Sequence, residues 1–354
     1  MSVQLITDLL KQVNYPGFSR DIVSFGLIRE TQFENGLARI KVEIVVSDPT
    51  LPKKLKDEIE NTLLANEEIK KVEVQIVVKK PPVDQSMNGH VEEDSALAGV
   101  KKIVAVASGK GGVGKSTLAV NLACAMERII SSELSKPAKI GLMDCDVYGP
   151  SVPLLIGASG QPESLGDDRI APIESYGVKV MSMALLVDED APVVWRGPMV
   201  MKTIQQFAAN VEWGELDLLL IDLPPGTGDA QLSIAQTMPL DGVVVVTTPQ
   251  KAAVDVARRG ARMFEKVNVP ILGVIENMSF LLNEETGEKS HLFGKGGGPV
   301  TAHALTTSFL GEIPIHEEIR MGGDHGLPIV VSNPEHFASL SIVAVAQEIY
   351  SILD

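Results

Sequence analysis

Residues 107–123 read ASGKGGVGKSTLAVNLA, and this stretch decides how the rest of the chain is to be read. Gly109 to Ser116 fits the spacing G-x4-G-K-[ST]. The apolar run KIVAVAS leads into it and the helical pattern STLAVNLACAMERII leads out, the strand–loop–helix context in which such a loop cradles phosphate. Glycines let backbone N–H groups approach phosphate oxygens, and a helix N-terminus adds a favourable dipole. The expected contact set is Gly109, Lys110, Gly111, Gly112, Val113, Gly114, Lys115, Ser116 and Thr117. Lys115 is expected on the β- and γ-phosphates and Ser116 on Mg²⁺, which makes ATP with Mg²⁺ the expected ligand. Lys110 is a second lysine in a loop that needs one.

Outward from the loop, short apolar segments alternate with helical ones. KIVAVAS, KIGLMD, VKVMSM, LDLLLIDL, GVVVVTT and PILGVIEN are rich in Val, Ile and Leu. They predict an α/β domain with a mostly parallel sheet covered on both faces. Ligands in such sheets bind at the carboxyl ends of strands, and polar residues gather there. Asp222, closing LLLID, is placed to reach the metal through water. Asp144 and Asp146 in MDCDVYGPS could orient or deprotonate an attacking water. Asn277 in GVIENMS could read the adenine edge with its amide.

Before this domain lies a smaller one. LARIKVEIVV and KKVEVQIVV read as strands and LPKKLKDEIENTLLAN as a helix, so residues 1–80 predict a small α+β domain. PPVDQSMNGHVEEDSALAG, residues 81–99, reads as a linker, leaving 100–354 for the nucleotide domain. Residues 1–80 carry 12 basic and 12 acidic side chains, so the net charge of −15 falls wholly beyond them. That acidity argues against nucleic acid as a partner. No apolar run is long enough for a membrane span, the start shows no export signal, and two cysteines suit a reducing compartment. The expected location is the cytoplasm, with no membrane partner.

The order of GKGGVGKS, MDCDVYGPS, WRGPM, DLPPGTGD, TTPQ, IENMS and GEIPI over residues 100–354 resembles the Mrp/ApbC family of P-loop ATPases, relatives of MinD and ParA. YPGFSRDIVSFGLI and LKDEIENTL resemble the small domain that occurs alone in iron–sulfur assembly proteins and at the front of Mrp-type ATPases. The resemblance implies a slow, Mg²⁺-dependent ATPase, a homodimer, iron–sulfur client or assembly proteins as partners, and an iron–sulfur cluster as cofactor. It also implies a role for Lys110, reaching across the dimer to the partner's phosphates. A cation supplied in trans neutralises transition-state charge only when both subunits have closed.

The cluster is implied by the resemblance alone. Many members have a C-x-x-C after the ENMS segment; here Asn283 and Thr286 fall at those places, and Leu51 replaces a cysteine of the small domain. Cys145, between the two aspartates, is the residual candidate for a labile cluster, while Cys124 reads as a core residue and the six histidines show no ligand spacing. Two alternatives stand beside the carrier reading. One is a metal-free ATP-dependent adaptor or chaperone. The other is a MinD/ParA-like positioning switch, but the C-terminal NPEHFASLSIVAVAQEIYSILD has no Lys or Arg for a membrane surface and reads as a packing helix.

Overall fold

Val104 and Val106 point to one side of a sheet, Ile103, Ala105 and Ala107 to the other, and all five are buried. This is why the central segments read as unbroken apolar runs: both faces of their sheet are covered. The computed structural model describes residues 3–13, 22–23, 27–34, 36–45, 51–66, 69–79, 97–166, 168–186, 197–226 and 228–353. The chain divides into two compact units, Met1–His90 and Val91–Asp354.

The first unit holds helix α1 (Val3–Leu10), strands β1 (Ile28–Glu34) and β2 (Leu37–Val45), helix α2 (Leu51–Leu64) and strand β3 (Lys71–Lys79). β2 pairs antiparallel with β1 and parallel with β3. Ile6 and Leu10 of α1 and Leu55, Ile59 and Leu63 of α2 close one face of this sheet around Ile40 and Val42. The spacing 55, 59, 63 is the helical i, i+4 stripe read from the sequence. Most of YPGFSRDIVSFGLI lies outside the described residues.

The second unit contains, in order, β4 (Ile103–Ser108), α3 (Lys115–Leu134), β5 (Ile140–Asp144), α4 (Val152–Ile156), β6 (Ser164–Gly166), β7 (Arg169–Ile170), β8 (Ile173–Ser175), β9 (Val178–Met181), α5 (Gly197–Asn210), β10 (Leu218–Asp222) and α6 (Asp229–Thr237). There follow β11 (Gly242–Thr247), α7 (Lys251–Lys266), β12 (Ile271–Glu276), β13 (Leu281–Leu282), β14 (Lys289–Ser290), α8 (Gly297–Ala304), β15 (Ser308–Glu312), α9 (Glu317–Asp324), α10 (Ile329–Ser332) and α11 (Phe337–Leu353). Eight strands form one sheet in the order β15-β12-β11-β4-β10-β5-β9-β8, parallel except for the β8–β9 pair. α3, α4, α10 and α11 pack on one face; α5 and α6 cover part of the other.

The six expected strands are present, and the sheet has two more at its edges, β8 and β15. Their residues are mostly half-exposed, so neither carries the apolar run that marks a central strand. The expected linker, 81–99, lies largely outside the described residues, but Leu97 is buried in the core of the second unit. α11 buries Ile342, Val345, Ala346 and Ile349 in the core, as a packing helix would. Among the described residues no helix is long and apolar enough to cross a membrane.

Candidate functional site

The loop after β4 owes its path to its glycines. Gly114 stands just before α3 in the left-handed region, at φ 78°, where residues with a Cβ are strained. A Cβ there would also meet the Asn277 amide at 2.3 Å. At Gly109 a Cβ would sit 2.6 Å from the Ala257 backbone nitrogen, so this glycine lets α7 approach. No side chain caps the start of α3. The first amides of a 20-residue helix therefore stand open to an anion.

Lys115 and Asp222 form a buried ion pair behind this loop, 5% and 0% exposed. The Lys115 ammonium also donates to Ser116 Oγ at 3.2 Å. Asp222 Oδ2 has no hydrogen-bond partner among the described residues. Such an orphaned buried oxygen is costly, and it suits a carboxylate that accepts from metal-bound water. Burial pushes the Asp222 carboxyl up, against the pull of Lys115. Asp144 ends the neighbouring strand in direct register with Asp222.

The two aspartates of MDCDVYGPS are not equivalent. Asp144 is buried, and both its oxygens are engaged: Oδ1 accepts from the Asp146 amide at 3.0 Å, and Oδ2 from Ser182 Oγ at 2.9 Å and the Val152 amide at 3.4 Å. It ties the loop after β5 to the strand. Asp146 is half-buried and, among the described residues, its Oδ1 accepts one long bond, from the Gly149 amide at 3.3 Å. Of the two, Asp146 is the one with capacity for a water.

Burial and the facing Asp222 push the Asp144 carboxyl up to about 7. The folded protein therefore holds a proton there that the unfolded chain releases near pH 4. The stability this protonated carboxyl contributes is present below its ordinary pKa and is lost as pH rises through the folded value. Asp144→Asn, which cannot ionise, should escape that loss. Denaturant unfolding should find the variant gaining on the wild type between pH 5 and 8; parallel stability curves would contradict the assignment.

Lys110 is placed apart from the buried pair: its ammonium donates to Gln250 Oε1 at 3.2 Å, at the start of α7. Gln250 belongs to the TTPQ segment. Asn277 Nδ2 donates to the Val113 carbonyl at 2.8 Å. One of the two protons of that amide holds the phosphate loop, and the same side chain lines the neighbouring cavity. Beside it opens a cavity of about 470 Å³ next to Gly114 and Thr117, walled by Met278, Phe293, Pro314 and Ile319. Its mainly apolar wall suits a flat aromatic base. GEIPI supplies Pro314 and Ile315 to this wall.

Neither cysteine fits a cluster. Cys145 is completely buried among Met143, Met181 and Leu223, and burial and the flanking carboxylates push its thiol well above its usual range. Cys124 is buried inside α3, its thiol pushed up to about 12 by burial. The expectation of Cys145 as a ligand of a labile cluster is therefore corrected: a strand-end residue between two polar neighbours turns its side chain into the core. Asn283 and Thr286 lie in an exposed turn between β13 and β14, with Asn283 Oδ1 accepting from the Glu285 and Thr286 amides at 3.0 and 3.1 Å. The histidines show no ligand spacing along the chain, yet His316 and His336 meet Glu284 in space.

With the geometry established, the chain can be set beside known proteins. The family model for the NUBPL iron-transfer P-loop NTPase matches residues 99–350, and that for an iron–sulfur cluster assembly protein matches residues 4–76. An iron–sulfur protein required for NADH dehydrogenase in Arabidopsis thaliana mitochondria is 51% identical over 253 residues, 72% of this chain and 79% of that one. An iron–sulfur cluster carrier protein of Synechocystis is 36% identical over 99% of this chain and 97% of its own length. Among solved structures, a nucleotide-binding protein from Archaeoglobus fulgidus in complex with ADP superposes with a TM-score of 0.58 at 35% identity, covering 68% of this chain and 91% of that one.

Proposed function

The chain belongs to the NUBPL iron-transfer P-loop NTPase family, and on that premise we propose that it is a slow, Mg²⁺-dependent ATPase, acting as a homodimer in the cytoplasm to move iron–sulfur clusters between partner proteins. The observation that carries the ATPase reading is the buried centre itself. Lys115, Ser116 and Asp222 meet beneath an uncapped helix N-terminus, with one carboxylate oxygen left unpartnered.

In this reading Lys115 exchanges Asp222 for the β- and γ-phosphates when nucleotide enters. Ser116 and Asp222 would hold Mg²⁺, Ser116 directly and Asp222 through water; the bound ion supplies positive charge between the phosphates. Asp146 orients the attacking water, and Asp144 is the positioning residue that sets the loop carrying it. Asn277 holds the loop while the apolar cavity takes the base. Lys110, held by Gln250 in the single chain, serves the nucleotide of a second copy.

The test is complementation between inactive variants. Lys110→Ala should bind ATP as the wild type does while turnover falls about 10³-fold or more, the scale of a charge supplied in trans. Asp146→Ala should also be inactive. Mixed dimers would contain one site with its own Asp146 and the partner's Lys110, so mixing should restore turnover. No recovery on mixing, with dimers present, would place Lys110 in its own site and end the trans assignment.

The burial of both thiols favours a second reading, a metal-free adaptor that uses ATP to handle client proteins without holding a cluster. Under either reading this chain's own cysteines are not the ligands of the cargo.

A further inference from the structure

Beside the exposed turn at 283–286, three side chains from separate elements converge. Glu284 comes from the turn, His316 from the residue before α9, and His336 from the residue before α11. Glu284 Oε1 lies 3.0 Å from His316 Nε2 and 3.8 Å from His336 Nε2. The imidazoles are 16% and 14% exposed, whereas Glu284 is 61% exposed. Phe337 packs against both rings, with centroids at 5.2 and 4.4 Å, and restricts their motion.

We propose that Glu284, His316 and His336 form a binding site for one divalent transition-metal ion of the Zn²⁺ or Fe²⁺ type. Four tetrahedral donors at bond lengths near 2.1 Å stand about 3.4 Å from one another. The two observed separations from Glu284 bracket that value, and all three donor atoms lie within 4.8 Å of one another. Two imidazoles and one carboxylate form a donor set for borderline transition metals, whereas Mg²⁺ and Ca²⁺ require oxygen. The exposed side of Glu284 leaves room for water or for a donor from another molecule.

The second sphere predicts how tightly the ion is held. His316 Nδ1 accepts the Glu318 amide and His336 Nδ1 accepts the Ala338 amide, each at 3.2 Å. With Nδ1 accepting in each ring, the proton sits on Nε2, and that of His316 is donated to Glu284 Oε1 at 3.0 Å. An ion bound at Nε2 sends that proton to Nδ1, where it meets an N–H instead of an acceptor. A metal-ligating histidine normally donates through its other nitrogen. Binding must therefore release the two caps, which makes this an exchangeable site rather than a structural one.

His316 also lines the cavity beside the phosphate loop, so the test keeps that cavity occupied and uses no turnover. The full chain, stripped with chelator and saturated with Mg²⁺ and ADP, is titrated with Co²⁺ and followed by visible absorption and equilibrium dialysis. One Co²⁺ per chain is expected, displaced by Zn²⁺, with nitrogen and oxygen ligand-field bands and no thiolate charge-transfer band. His336→Asn keeps a side chain able to cap α11 and removes the imidazole, while Glu284→Gln removes the anion. Each should weaken Co²⁺ at least ~10-fold with an unchanged circular dichroism spectrum and unchanged ADP affinity. Wild-type binding no tighter than about 1 mM, or binding unaltered in either variant, would overturn the site.

Discussion

Lys115→Ala is expected to lose nucleotide affinity by about 100-fold, since hydrogen bonds to charged groups contribute roughly 1.5–3 kcal/mol each and the side chain offers more than one. The same change should damage the nucleotide-free protein. Asp222 is fully buried and Lys115 is its cationic partner; removing one member of a buried pair costs about 3–5 kcal/mol. Lowering the pH should return part of this, because a protonated Asp222 no longer needs a cation. Lys115→Met combined with Asp222→Asn separates the two effects: it should recover thermal stability while nucleotide binding stays lost. Calorimetric titration with ADP and thermal unfolding measure them side by side. Wild-type affinity in Lys115→Ala would remove the phosphate-site assignment.

The second large effect concerns the iron–sulfur cargo. Reconstituted anaerobically with iron and sulfide and then gel-filtered, the protein should retain almost no acid-labile sulfide, because neither thiol is accessible. Cys145→Ser should change nothing. Asn283→Cys with Thr286→Cys should behave differently. These positions occupy one exposed turn whose backbone is closed by the Gly287 amide on the Asn283 carbonyl at 2.8 Å. Two such turns in a dimer would offer four thiolates, enough for one bridging cluster with roughly four iron and four sulfide. Sulfide and the cluster's visible absorption are the necessary readouts, since iron alone would also register at Glu284, His316 and His336. A stable, sulfide-containing cluster on the unaltered chain would overturn the exclusion of its own cysteines.

These two outcomes also separate the carrier from the adaptor. Both share the ATPase centre, so Lys115→Ala disables either. Only the carrier has cargo to transfer, delivered by ligands outside this chain's two thiols. Cluster transfer to a client protein that requires ATP and intact Lys115 supports the carrier; ATP-dependent client binding without transfer supports the adaptor.

The local features were legible because each is encoded within a few neighbouring residues. Gly114 requires no partner to announce a left-handed turn before a helix, and the alternation of Ile103–Ser108 between two buried faces appears as an apolar run. β8 and β15 were missed because half-exposed edge strands lack that run. Strand-end position likewise places Asp144, Asp146 and Asp222 on the rim of the sheet where the phosphate loop carries Lys115.

The sequence by itself determined the α/β class, the phosphate loop, the order of strand-end acids and the absence of paired cysteines. The tertiary structure decided which groups are engaged. Lys115 meets Asp222 across 107 residues, Ser182 claims Asp144 and leaves Asp146 available, and Cys145 turns inward. Glu284, His316 and His336 acquire a common centre from three elements that no local spacing connects. Periodicity and backbone conformation are short-range properties that a segment carries with it. The partner of a polar side chain depends on strand order and on where distant turns are packed, and it exists only once the chain has folded.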